Sequence, residues 1–405
     1  MISHAAIVPL IGGLPIGLSR AFNSKPSYIL SYEPFASNDS HLVNYWSDVP
    51  YYMLEGTNED PRHPKVDVVS VTCPCAGLSS LSPSASSFNP KNDWMTKTSE
   101  YVLSKIEPRV VIGENAPRLA TALGEPVVKS LIEIGDRYGY TFSLYKTKSI
   151  LHGQSQVRDR SFYFFWKEQD RIPIFEYYNR PHEKIEDVIL NTPRLSSDPM
   201  SQILTNEKKP TDNPFYRFVL EEIEGGISHA EFSRKIKKTV NPLDYLEQRG
   251  YTYDVVHDWM IKNKYEKEAR TAKRAFTKLA SGGNIMRKTT EIVKDHIGAF
   301  VGHFVNSCSH PTEDRYLTVR EALEIMKMPR DFVLLGGRKN LNHICQNVIT
   351  TTAEDMGKNI VKYLEGKAEM MTNATFMIQD NKSRSIQKIV SNREHTTSSS
   401  LSDFF

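Results

Sequence analysis

The sequence predicts an α/β fold built on a largely parallel sheet, interrupted by a long stretch of different character. Two observations carry this. Short apolar runs, each followed by a turn or loop and then by a helical pattern, recur between residues 5 and 166. From Lys167 to about Pro311 that alternation stops and basic, helix-rich sequence replaces it; afterwards the sheet pattern resumes.

The opening Ala5-Ala6-Ile7-Val8-Pro9-Leu10-Ile11-Gly12-Gly13-Leu14 reads as strand, glycine turn and helix start, and Tyr28-Ile29-Leu30-Ser31-Tyr32-Glu33-Pro34 as a strand ending in a carboxylate. Doubly wound folds hold an adenosine this way, with glycines letting the backbone approach and the carboxylate accepting from ribose hydroxyls. Two glycines without the full Gly-x-Gly-x-x-Gly pattern are more often a plain turn. Next, Val66-Asp67-Val68-Val69-Ser70-Val71 reads as a buried parallel strand. It delivers Thr72-Cys73-Pro74-Cys75-Ala76-Gly77-Leu78-Ser79 to its carboxyl end, where ligands bind in open α/β sheets. Cys75 is therefore a candidate nucleophile and the small-residue stretch 80–87 a candidate lid, although a cysteine after a strand is usually inert and buried.

A helix is expected over 99–106, stopped by Pro108, then a strand Val110-Val111-Ile112-Gly113-Glu114-Asn115. Pro126 opens an amphipathic helix closing at Gly139, and strands follow at 141–145 and 161–166. Between those strands lies His152-Gly153-Gln154-Ser155-Gln156-Val157-Arg158-Asp159-Arg160. If its second half is extended, Arg158 and Arg160 point to one side and can address a single anionic site. In the interrupting stretch, Ser228 and Glu231 form a capping box. Farther on Lys262, Lys264, Lys267, Arg270, Lys273, Arg274 and Lys278 make a basic stripe with Tyr265 and Phe276 among them. Such a stripe can neutralise phosphates; a solvated helix face is the plain alternative. Late in the chain Thr318 and Glu321 are spaced as another capping box, 343–349 reads as a turn or short strand, and Thr351 and Glu354 cap a last helix. Residues 366–405 read as a weakly ordered tail, within which Ala368 to Ile378 can form a short element.

Composition sets the outer limits. A chain of 405 residues has room for two to three domains and needs no disulfide support. Four cysteines in that length, with no recognisable leader, suggest a reducing, intracellular setting and free thiols. Cys73-x-Cys75 lacks a second pair to complete a zinc site, so no metal is expected; no apolar run is long enough for a membrane span. A net charge of +3 is compatible with an anionic partner without requiring one.

In order, these motifs resemble the cytosine carbon-5 DNA methyltransferases. The likeness covers roughly 5–166 and 312–365 and leaves the middle unmatched, where that family inserts a variable target-recognition region. Pro74-Cys75 falls on the nucleophile loop, Glu114-Asn115 on Glu-Asn-Val with Ala116 for the valine, and Gln156-x-Arg158-x-Arg160 on Gln-x-Arg-x-Arg. Arg315-x-Leu317-Thr318-x-Arg320-Glu321 with Pro329 looks like the motif beside the recognition region, and Asn347-Val348 falls on the late segment completing the cofactor pocket. Gly12-Gly13 and Glu33 fall on the first cofactor motif and the ribose carboxylate. Departures are Ala6, Val8 and Leu10 where the family has Asp, Phe and Gly, so that the phenylalanine stacking on adenine is lost or supplied elsewhere. Thr72 and Cys73 precede Pro74, Ala76 replaces a glutamine and Gln346 a glycine; Glu55-Gly56-Thr57 is the nearest match to the Gly-Asp-Ile segment.

The resemblance implies a Rossmann-like S-adenosylmethionine-dependent methyltransferase domain (1–166 and 312–365) with a mostly helical or mixed target-recognition insert (167–311). It implies catalysis by Cys75, Glu114, Arg158 and Arg160, and a donor site made by Gly12, Gly13, Leu14, Glu33, Pro34, Pro74, Asn347 and Val348. Nucleic-acid contacts are expected from Ser79, Gln156, Lys264, Lys267, Arg270, Lys273 and Arg274. The expected partner is double-stranded DNA and the expected state a monomer in the cytoplasm or nucleoid of a prokaryotic or phage-infected cell. Two alternatives stay open: a tRNA-acting or variant-donor cytosine modifier, and a non-catalytic DNA-binding protein on the same scaffold.

Overall fold

A computed structural model describes residues 1–54, 63–73, 77–79, 85–205, 208–282, 290–302 and 304–389. Pro74, Cys75, Ala76, most of the stretch 80–87 and Glu55-Gly56-Thr57 lie outside the described residues. In chain order the described strands are β1 (His4–Ile7), β2 (Tyr28–Ser31), β3 (Tyr51–Met53), β4 (Val68–Val71), β5 (Val110–Asn115), β6 (Thr141–Lys148), β7 (Gln156–Val157) and β8 (Asp159–Trp166). They continue with β9 (Arg171–Pro173), β10 (Ile297–Gly298), β11 (Met370–Thr372), β12 (Phe376–Asp380) and β13 (Ser385–Ile389). The helices are α1 (Gly13–Phe22), α2 (Ala36–Tyr45), α3 (Asp93–Tyr101), α4 (Glu125–Tyr138), α5 (Ile185–Leu190), α6 (Pro214–Phe218) and α7 (His229–Lys235). After them come α8 (Pro242–Gln248), α9 (Tyr253–Lys262), α10 (Glu266–Ala280), α11 (Val319–Ile325), α12 (Leu341–Gln346) and α13 (Thr350–Leu364).

Nine strands form one sheet in the order β13-β12-β6-β8-β5-β4-β1-β2-β3. β1 to β5 pair parallel, while β8 runs antiparallel between β5 and β6. Every residue of β1, β2, β4 and β5 is buried, as parallel strands covered on both faces must be. From β1 the chain first moves outward to β2 and β3 and then back to β4 on the other side. That reversal opens a crevice at the carboxyl ends of β1 and β4, the usual ligand position in open α/β sheets. α1 lies close against α13: a Cβ at Gly17 would sit 2.3 Å from the Thr350 carbonyl oxygen, so any larger residue would force the helices apart.

Between the two parts of the sheet domain, α6, α7, α8, α9 and α10 gather a separate core around Phe215, Tyr216, Phe232, Leu246, Trp259 and Met260. Ser228 and Glu231 make the expected capping box at α7, and Thr318 and Glu321 at α11. Four elements differ from what the sequence leads one to expect. The stretch after Lys167 does not leave the sheet at once: β9 pairs with β11, and the backbone N–H groups of Phe175 and Tyr178 donate to Gln379 and Asn381 at 2.9 and 2.7 Å. The segment assigned to a weak tail supplies β12, parallel to β6, and β13 antiparallel to β12. Phe376 and Ile378 pack into one core cluster and Met377 into another, so β12 is buried on both faces and its signal is a short continuous apolar run between polar flanks. Residues 341–346 form a helix, since Leu341, Ile344 and Cys345 bury one helical face. Finally, the last helix starts at Thr350 without a side-chain cap. No helix among the described residues is long and apolar enough to cross a membrane.

Candidate active site

The carboxyl edge of the sheet collects the chemistry-bearing side chains. β8 runs antiparallel to β5 with Glu114 opposite Phe162 and Asn115 opposite Ser161. Antiparallel pairing thus sets the first residues of β8 beside the last of β5, and Arg160, two residues before Phe162, is a diagonal neighbour of Glu114 on one face. The Arg160 guanidinium and Glu114 carboxylate form a direct ion pair, and Arg160 Nη1 also donates to the Asp159 carbonyl at 2.7 Å. Glu114 is 3% exposed, and the pair sits where water is largely excluded and polar interactions are strengthened. Asn115 Oδ1 accepts from the Ala116 N–H at 2.8 Å, fixing the turn that leaves β5.

Arg158 does not share that site through its described contacts. It is 2% exposed and donates to the carbonyls of Phe300 and Cys345, both at 2.7 Å. The expected alternation fails because residue 158 falls between β7 and β8, where its N–H turns to Ser149 Oγ at 2.9 Å. Gln156, expected at nucleic acid, is also buried: its Oε1 accepts from the Phe300 N–H at 2.8 Å and its Nε2 lies 3.3 Å from Met326 Sδ. Gln156 and Arg158 thus grip the segment around Phe300, which runs back from the helical region.

β4 ends at Val71 on the same edge and leads toward Cys75. Cys73 is enclosed, with Sγ 3.4 Å from the Trp94 carbonyl oxygen, and burial pushes its thiol up to about 12. Cys345 is likewise pushed up to about 12 by burial, and Cys308 well above its ordinary value. None of these three holds a thiolate near neutral pH. Ser79 is half-buried in the loop that follows.

The glycine turn after β1 lies beside Asn347. Asn347 Oδ1 accepts from the Gly13 N–H at 2.8 Å, and a Cβ on Gly13 would stand 1.9 Å from the Val348 carbonyl oxygen. The first motif and the late segment, 334 residues apart, therefore meet through a contact that only glycine permits. The side chains of Leu14 and Val348 are buried with Val68 and Ile112, so they form the floor behind the turn. Glu33 and Pro34 are exposed at the turn that ends β2. Beside them stand Tyr32, Phe35 and Trp94, partly buried, with Trp94 4.9 Å from Tyr32 and 5.1 Å from Phe35 between ring centres.

Asp39 escapes sequence reasoning, because an acid in the first turn of α2 looks like an ordinary helix-start residue. It is fully buried and receives the Leu10 N–H at 2.9 Å and the Ser31 hydroxyl, bracing a turn whose Val8 and Leu10 have φ of 49° and 55°. Those left-handed values suit glycine, and the brace offsets part of their strain. Burial pushes the Asp39 carboxyl up to about 7 despite both hydrogen bonds. With the folded value above the unfolded one, the native state holds the extra proton between about pH 4 and 7. Stability is therefore expected to fall as pH rises through that window, and Asp39→Asn to flatten the fall, as urea titrations at several pH values would read.

The fold and this edge define an α/β S-adenosylmethionine-dependent methyltransferase: a glycine turn, a carboxylate after β2 and an aromatic group suit an adenosine, and an acidic and a cationic group stand at the end of β5 and the start of β8. Known proteins point the same way. Residues 11–364 match the model of the C-5 cytosine-specific DNA methylase family, and the chain belongs to that family. It is similar to the type II methyltransferase M1.HphI of Haemophilus parahaemolyticus, 22% identical over 80% of this chain and 77% of that protein. Among solved structures it resembles an Escherichia coli prophage-encoded putative DNA modification methyltransferase, with TM-score 0.57, 14% identity and coverage of 90% of this chain and all of that one. The Entamoeba histolytica methyltransferase EhMeth gives TM-score 0.52 and 11% identity over 90% of this chain and 99% of that one. S-adenosylmethionine is the methyl donor of the family. The positions of Gly12, Gly13, Glu33, Phe35, Trp94 and Asn347 fit it.

Proposed function

We propose that this protein methylates carbon 5 of cytosine in double-stranded DNA, with Cys75 as covalent catalyst. The observation that supports this most is the buried Glu114–Arg160 ion pair on the sheet edge toward which β4 leads the Cys75 segment. Carbon 5 of cytosine is a poor nucleophile. Addition of the Cys75 thiolate to carbon 6 forms a C–S bond, opens the 5,6 double bond and turns carbon 5 into an enamine carbon. For Glu114, ion-paired with Arg160 in the free protein, to act as the acid it must take up a proton from solvent as the base enters; it then passes that proton to ring nitrogen 3 as electron density moves there, while Arg160 stabilises charge at the ring edge. When bound, S-adenosylmethionine supplies an electrophilic methyl group, and Gly13, Glu33, Phe35, Trp94 and Asn347 would hold it. Water then removes the carbon 5 proton, the double bond re-forms, Glu114 recovers its proton and the thiolate leaves. A stacked base cannot reach such a site, so the target cytosine is extruded.

The four-residue basic face of α10 supports DNA as substrate. Arg270, Lys273, Arg274 and Lys278 are exposed together, while Ala269 and Ala272 are buried against the helical core. Lys264 and Lys267 are exposed close by. Contacts of this type neutralise phosphates and set register, leaving sequence to be read at base edges. With labelled donor, duplex DNA is expected to acquire 5-methylcytosine, and labelling of tRNA alone would overturn this reading. The R270Q/K273Q/R274Q variant is expected to bind every DNA sequence more weakly, its salt dependence flattened by roughly one unit per lost phosphate contact.

A further inference from the structure

We infer that His182, Asp295 and His296 form a site for a divalent transition-metal ion of the zinc class, joining the helical region to the sheet domain. The three residues come from two distant stretches. His182 lies just before α5, and Asp295 and His296 lie on the segment that returns from the helical region. One ligand atom from each falls within 4.8 Å of the others. His182 Nε2 is 3.1 Å from Asp295 Oδ1, and His296 Nδ1 is 2.7 Å from Asp295 Oδ2, with the two rings 5.4 Å apart at 82°. An ion bonded at ~2.0–2.1 Å in tetrahedral geometry separates its ligand atoms by about 3.3 Å, so small side-chain adjustments suffice. Two imidazoles and one carboxylate favour zinc-like ions over magnesium or calcium, which prefer all-oxygen sets. The side chains are 30%, 32% and 40% exposed, leaving entry for the ion and room for water as a fourth ligand.

The ligand-bearing backbone is held in place by its surroundings. The Asp295 N–H donates to Glu186 Oε2 at 2.9 Å, the Ile185 N–H to the Asp295 carbonyl at 2.7 Å, and the Thr239 hydroxyl to the His296 carbonyl at 2.6 Å. Lys294 pairs with Glu186 at 3.0 Å. Directly after His296, β10 pairs with β7, and Phe300 meets Gln156 and Arg158. An ion here would therefore fix the register of the segment that those two residues grip, close to the strand bearing Arg160. This is a positioning role, separate from the chemistry proposed at Cys75.

The test is a titration of the full-length chain, stripped with chelator, with Co²⁺ alone, read by visible d–d absorption. The expected result is a band saturating at one equivalent, displaced by Zn²⁺, and lost in both Asp295→Asn and His182→Gln. His257→Gln, which alters a separate exposed His–Asp pair, is expected to keep it. In a second readout Zn²⁺ raises the thermal midpoint of the wild type and not that of Asp295→Asn. No Co²⁺ band in the folded wild type, or an equal band in His182→Gln, would overturn the inference. The thermal midpoints without metal show whether each variant is folded, and the two ligand variants act on different stretches of chain.

Discussion

Glu114→Gln is expected to lower kcat by roughly 10²–10⁴-fold, the range for removing a positioned acid from a proton-transfer step. The amide keeps the shape and can still hydrogen-bond, but it has no acidic proton to pass to ring nitrogen 3 once the base is bound, and no charge to hold the Arg160 guanidinium before the base enters. DNA affinity in the absence of donor should change little, because the basic face of α10 is untouched. Single-turnover rates with duplex DNA separate the two effects. A variant within threefold of the wild-type rate would show that this carboxyl is not the proton donor.

The largest effect on stability is expected at Asp355, far from the reacting atoms. This carboxylate is buried on α13 and accepts from His152 Nδ1 at 2.8 Å and from both terminal nitrogens of Arg180, at 3.0 and 2.9 Å. An ionised carboxylate can only accept, so Nδ1 of His152 carries the proton and Nε2 accepts from the Thr147 hydroxyl at 2.7 Å. Thr147 Oγ1 in turn accepts from Asn381 Nδ2 at 3.0 Å. Burial lowers the His152 pKa, which keeps the ring neutral in this chain of hydrogen bonds. The network ties β6, the segment after β9, the last helix and the chain beyond β12 together. Asp355→Ala leaves a buried imidazole N–H without its acceptor and Arg180 without its counter-charge, at a cost of about 3–5 kcal/mol for a broken buried pair. Because Arg180 is 49% exposed and can turn to water, the lower end is expected. Urea midpoints with an unchanged slope would measure it, and a loss below about 1 kcal/mol would contradict the account.

How much of the fold and the site is legible in the sequence depends on whether the signal is local. The strands around Val68 and Val110, the turn at Gly12-Gly13 and the capping boxes at Ser228 and Thr318 are written in neighbouring residues, and each stands where its pattern puts it. The meeting of Gly13 with Asn347 follows only from the family resemblance, since no local rule joins positions so far apart. Arg158 misleads for the opposite reason: a two-residue alternation does not carry across the break between β7 and β8, where the backbone leaves the ladder. The polar sequence around them conceals β12 and β13: β12 is only a three-residue apolar run, Phe376-Met377-Ile378, and β13 is the polar edge strand that pairs with it. Asp39 carries no signal at all, because what singles it out is the Leu10 N–H that reaches it from another loop. The His182–Asp295–His296 group is equally invisible to a search for closely spaced ligand pairs.

The central claim is that Cys75 forms a bond to carbon 6 of the target base. Incubation with duplex DNA containing 5-fluorocytosine and S-adenosylmethionine tests it most directly, since fluorine at carbon 5 blocks the elimination that would release the thiol. Wild-type protein is expected to run as a denaturation-resistant protein–DNA complex, with Cys75→Ala giving none and the fluorinated base found on a peptide containing residue 75. Absence of the complex from wild-type protein that still methylates ordinary DNA, or its persistence in Cys75→Ala, would contradict the mechanism.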